Sequence, residues 1–83
     1  LGYVVQVSAR RSRIDALAAF ADLQQRYTGA LGSRQPDIQE VNLGDRGKWY
    51  RVRIGPPGSK NAAYTLCGKL KKSGLKDCIV KAY

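Results

Sequence analysis

Trp49, Arg51 and Arg53 occupy every second position of Lys48-Trp49-Tyr50-Arg51-Val52-Arg53-Ile54-Gly55-Pro56. On an extended chain that spacing sets one indole and two guanidiniums on the same side of a strand. The chemistry open to such a row is binding: an aromatic face for stacking, and forked donors for hydroxyl, amide and carboxylate oxygens. Gln6 lies inside a β-branched run, Tyr3-Val4-Val5-Gln6-Val7-Ser8, where a buried unpaired amide would be costly. It reads either as a surface glutamine or as a group with partners. The tryptophan–arginine row likewise reads either as a ligand face or as a solvated basic sheet face.

Catalytic chemistry has little to work with. The chain has no His and only six carboxylates, so neither a Ser–His nor a Cys–His nucleophile pair can be built. Two Cys without His fall short of a zinc site, and no glycine-rich phosphate loop is present. The expectation is a protein with no catalytic residues, no metal and no cofactor. Fifteen basic residues against six acidic ones give a net charge of +9, which favours nucleic acid, phospholipid head groups or a cell-wall polymer. No apolar run is long enough to span a membrane and no signal peptide is visible. Because the first residues already read as strand, the chain is expected to be a fragment of a longer protein. Any anchor would lie upstream.

The elements that must position the row fit one small domain covering residues 1–83. Tyr3 to Ser8 reads as a strand with Tyr3, Val5 and Val7 on one face and Val4, Gln6 and Ser8 on the other. Ser12 caps a helix whose stripe is Ala16, Phe20, Leu23 and Tyr27, flanked by Leu17 and ended by Gly29 and Gly32. Gly29 to Pro36 is a loop. Asp37 to Leu43 is a second strand in which Ile38 points opposite to Val41 and Leu43, suggesting a bulge or an edge strand. Gly44 to Gly47 turns into the third strand, which Gly55-Pro56-Pro57-Gly58 ends. Ser59 caps a second helix, to about Lys72, that buries Ala63, Leu66, Cys67 and Leu70. Gly68 within it marks close packing, and Gly74 ends it. Cys78 to Tyr83 is the last strand.

The order βαββαβ predicts an α+β two-layer sandwich of ferredoxin-like, RNP-like topology, with a four-stranded antiparallel sheet and two helices on one face. The first and third strands are central in that arrangement. Gln6 and Ser8 then lie beside Trp49, Arg51 and Arg53 on the open face, with Ile79 joining from the last strand. RNA-recognition domains share this topology, but their third-strand motif is matched here only by the opening Arg46-Gly47 and by Tyr50. Alternation assigns Tyr50 to the core, so RNA binding stands as the alternative function.

Val5-Gln6, the run Tyr50-Arg51-Val52-Arg53-Ile54-Gly55-Pro56, and Leu70-Lys71-Lys72-Ser73-Gly74 before the last strand together resemble a SPOR domain (sporulation-related repeat) over nearly the whole chain. The resemblance implies a non-catalytic, peptidoglycan-binding module, often C-terminal, of a bacterial envelope protein. It implies recognition of glycan strands stripped of stem peptides at the division septum, through the open sheet face. It places Gln6, Trp49, Arg51 and Ile79 at that face, in agreement with the strand alternation. Ser8-Ala9-Arg10 and Pro57 depart from the family's usual residues. Nucleic acid is not an expected partner. Membrane contact is expected only through an unseen upstream anchor, and the isolated domain is expected to be a monomer. The expected location is the periplasmic side of the cytoplasmic membrane or an outer-membrane lipoprotein.

An envelope location also bears on Cys67 and Cys78. Cys67 is on the buried helix stripe, and alternation with Val80 and Ala82 turns Cys78 toward the helices. The pair is either two small buried hydrophobes or a disulfide. An oxidising compartment and a small core favour the disulfide.

Overall fold

The computed structural model describes residues 2–83. Its elements are β1 (Tyr3–Arg10), α1 (Arg13–Arg26), α2 (Thr28–Leu31), β2 (Gln35–Asn42), β3 (Lys48–Gly58), α3 (Lys60–Lys72) and β4 (Ile79–Ala82), with a 3-10 turn at Gly44–Arg46 between β2 and β3. All strand pairings are antiparallel and the order is β2-β3-β1-β4. β1 and β3 are therefore central, as the βαββαβ order requires, and the row-bearing strand has a neighbour on each side.

One face of the sheet carries the core. Val5, Val7, Val52 and Ile54 pack against Ala16 and Phe20 of α1, Leu31 of α2, and Ala63, Leu66, Cys67 and Leu70 of α3. Removing this apolar surface from water holds the helices on that face. The helix starts follow their caps: Ser12 Oγ accepts from the Asp15 N–H at 3.1 Å, and Ser59 Oγ from the Ala62 N–H at 3.0 Å. Cys67 and Cys78, both buried, form a disulfide with Cα atoms 5.8 Å apart. It staples α3 to the chain entering β4. Among the described residues no helix is long and apolar enough to cross a membrane.

The fold corrects three sequence expectations and decides between the two alternatives of a fourth. α1 stops at Arg26 with Tyr27 as its cap, and the loop after it holds the extra turn α2, which runs through Gly29. β2 pairs with β3 in unbroken register from Gln35 to Asn42, so the opposed directions of Ile38 and Val41 signal an edge strand, not a bulge. Ile38 lies opposite core residue Val52, and Val41 lies opposite Trp49 on the open face. β3 continues through Gly58, with Tyr3 pairing to Gly58 and Val5 to Ile54. That offset leaves Pro56 and Pro57 out of the β1 ladder, where their missing N–H groups cost nothing. Gly68 faces open space, since an added Cβ there meets nothing within 4 Å. Packing does not require that glycine.

Candidate ligand-binding face

The sheet face turned away from the helices is built in cross-strand rows. Asp37, Arg53, Gln6 and Ile79 form one row across all four strands. Gln39, Arg51 and Ala9 form the next. Val41 and Trp49 form the third, at the β2–β3 end. Gln6, Trp49, Arg51 and Ile79 thus share one surface although they come from three strands.

Ser8 is not in those rows. β1 carries a bulge between Gln6 and Ser8, so Ser8 stands opposite core residue Val52 and Ala9 takes the place beside Arg51. An extra residue in one strand reverses the alternation beyond it. The Ser8 hydroxyl accepts a hydrogen bond from Arg10 Nη1 at 2.6 Å. The strict period-2 reading of β1 fails at this point.

Arg53 is on the face but is not free. It is 8% exposed. Its Nη2 donates to Asp37 Oδ1 at 2.8 Å, and its guanidinium lies 4.9 Å from the centre of the Tyr83 ring. The alternation that selected it ignored its neighbour on β2: Asp37 sits directly opposite and neutralises it. Arg53 closes one end of the face as a structural group.

Three groups are left to act on a ligand. Arg51 has no hydrogen-bond acceptor or ion-pair partner among the described residues. It projects beside the small side chain of Ala9, which leaves room above it. Gln6 Oε1 is buried and without a hydrogen bond, and an orphaned buried acceptor calls for a donor from outside. Trp49 is half-buried, with its indole N–H satisfied by the Arg46 carbonyl at 3.1 Å, so its remaining capacity is stacking. Arg11, which sequence reasoning missed, holds its guanidinium 4.7 Å from the indole centroid. Its only sequence signal is its place immediately after β1, across from the start of β3.

Next to Gln6 the face continues into a groove. β4 begins only at Ile79, opposite Gln6, so β1 beyond Gln6 has no strand on that edge. Gln6, Val7, Ser8, Ala9, Arg10, Asp77 and Ile79 line the groove, whose volume is about 320 Å³, so Ser8 reaches the ligand face at its groove end. Ile79, 52% exposed, supplies its apolar lip. From Trp49 to Ile79 the surface is therefore a shallow track carrying stacking, donor and acceptor groups in sequence. It suits an extended polymer better than a compact molecule. Tyr50 is packed against the core, so the central strands offer one stacking ring and not the paired rings of an RNA platform. Among the described residues no three His, Cys, Asp or Glu side chains cluster as a metal site.

The SPOR domain family profile matches residues 2–81. The SPOR domain of RlpA from Pseudomonas aeruginosa, a crystal structure, superposes with a TM-score of 0.68 at 21% identity, covering 99% of this chain and 100% of that one. The peptidoglycan-binding domain of the B. subtilis cell wall lytic enzyme CwlC, a solution structure, gives a TM-score of 0.62 at 22% identity, covering 96% of this chain and 89% of that one. None of the curated protein sequences matches.

Proposed function

The chain belongs to the SPOR domain family, and from that premise we propose that it is a peptidoglycan-binding module that holds denuded glycan strands on the open face of its sheet. SPOR domains are binding modules, and the neighbouring CwlC domain is described as peptidoglycan-binding. The observation that carries the reading is the set gathered on one track: the orphaned Gln6 Oε1, the unpaired Arg51 and the half-buried Trp49 ring. A sugar ring stacks its C–H face on the indole. Arg51 donates to acetamide or lactyl oxygens, and Gln6 Oε1 accepts from a hydroxyl or an acetamide N–H. The track is open and shallow, so a bare linear strand lies along it without a pocket for branches.

The reading places the domain in the cell wall of a bacterium, outside the cytoplasmic membrane, as a non-catalytic module of a longer envelope protein that gathers where stripped strands accumulate, at the division septum. The Cys67–Cys78 disulfide suits an oxidising compartment. Cosedimentation with purified sacculi, before and after amidase removal of stem peptides, tests the specificity. Amidase treatment increases the bound fraction on this account. Equal binding to both preparations, or saturable salt-dependent binding to single-stranded RNA in place of sacculi, contradicts it.

A further inference from the structure

On the opposite side of the molecule, a cleft of about 360 Å³ opens between α2 and α3. Ser33 and Arg34 line it from the loop after α2, and Ala62, Thr65 and Lys69 line it from α3. Two cations and two hydroxyls face it, and no carboxylate does.

Arg34 is the informative residue. It is half-buried, and among the described residues its guanidinium has neither a hydrogen-bond acceptor nor an ion pair. A half-buried guanidinium without an anion gains from a ligand that completes it. The surrounding loop is also firmly held. Gln24 Nε2 donates to the carbonyls of Leu31 at 2.9 Å and Arg34 at 3.0 Å, and the Arg34 N–H donates to Leu31 O at 3.0 Å. Leu31 is fully buried. The backbone that carries Arg34 is thus fixed before any ligand arrives, which lowers the ordering cost of binding. Thr65 and Lys69 lie one helical turn apart on the facing wall, so their side chains are neighbours.

We infer that this cleft is a second binding site, for a phosphate group, separate from the sheet face. Four donor side chains approach from two facing walls, whereas the acceptor sites of a carboxylate lie in one plane. A phosphate offers more acceptors in a tetrahedral array, with charge opposite to that of Arg34 and Lys69. Lys69, Lys71 and Lys72 all complement the C-terminal dipole of α3, and only Lys69 of the three also lines the cleft with Arg34. Since the cleft is on the helix side and the track on the sheet side, both can be occupied at once.

The test is a titration of the isotope-labelled 83-residue chain with inorganic phosphate, with acetate at matched ionic strength as the control, read by amide and side-chain NMR shifts. Saturable shifts at Ser33, Arg34, Thr65 and Lys69, with Trp49 and Gln6 unmoved, are expected. Arg34→Gln and Lys69→Gln should each weaken the phosphate midpoint about tenfold, as for loss of one charge-assisted contact. Lys69 is exposed, so its variant keeps the fold. A second arm uses vesicles of anionic phospholipid against zwitterionic ones. Binding that Arg34→Gln abolishes assigns the phosphate to lipid head groups, whereas saturation by free phosphate without vesicle binding assigns it to soluble or wall-borne phosphate. Acetate matching phosphate, unsaturable shifts spread over all the α3 lysines, or a midpoint unchanged in both variants overturns the proposal.

Discussion

Replacing Arg53 with Ala separates the structural role of this arginine from a binding role. Its guanidinium is 2.8 Å from Asp37 Oδ1, with the two side chains 9% and 19% exposed. Removing one partner of a fully desolvated pair costs about 3–5 kcal/mol. Asp37 keeps some contact with water, which reduces the expected cost to about 2–3 kcal/mol. Loss of the stacking on Tyr83 adds about 0.5 kcal/mol, because that ring is largely exposed. For a chain of this size each kcal/mol lowers Tm by about 4–8 °C, so a fall of roughly 10–28 °C is expected. Urea and thermal unfolding followed by circular dichroism measure it. Asp37→Ala should cost at least as much, since it strands the more buried member. The double variant should be less destabilised than the sum of the two, with a coupling of about 1–2 kcal/mol. An Arg53→Ala protein within about 0.5 kcal/mol of the parent that has nevertheless lost glycan binding refutes the reasoning, and would make Arg53 a ligand contact.

Gly68→Ala should stabilise the domain by about 1 kcal/mol, because the site is an exposed helix interior with open space for a methyl group; chemical denaturation reads the gain. Reducing the Cys67–Cys78 bond should cost about 2–3 kcal/mol for a loop with a sequence separation of 11, measured by unfolding with and without reductant. Trp49→Ala should weaken glycan affinity roughly tenfold, about 1.4 kcal/mol, while the core, to which Trp49 does not belong, stays folded; calorimetric titration with a denuded glycan oligomer tests this.

Much of this fold is written in local pattern. The period-2 run of β3, the Ser12 and Ser59 caps and the buried stripe of α3 each follow from residue spacing, and βαββαβ order fixes which strands are central. The face was legible for Trp49, Arg51, Gln6 and Ile79 for the same reason. What was not legible depends on pairing. The β1 bulge that shifts Ser8 out of the cross-strand rows to the groove beside Gln6 exists only in the register against β3. The burial of Arg53 depends on Asp37, sixteen residues away and opposite it only once β2 docks as the edge strand. The conflict in β2 between Ile38 and Val41 with Leu43 is decided only by docking: Ile38 packs inward, Val41 faces Trp49 on the open side, and Leu43 is an exposed turn residue. Alternation finds faces; cross-strand neighbours decide which residues on them are free.

The most direct test of the central claim is a shift map of the isotope-labelled chain titrated with a denuded glycan oligomer. Saturable perturbations along the sheet track, at Gln6, Ala9, Trp49, Arg51 and Ile79, with the α1 and α3 amides unmoved, are the predicted result. Perturbations confined to the helix side, or none at oligomer concentrations that saturate a second SPOR domain, would contradict it.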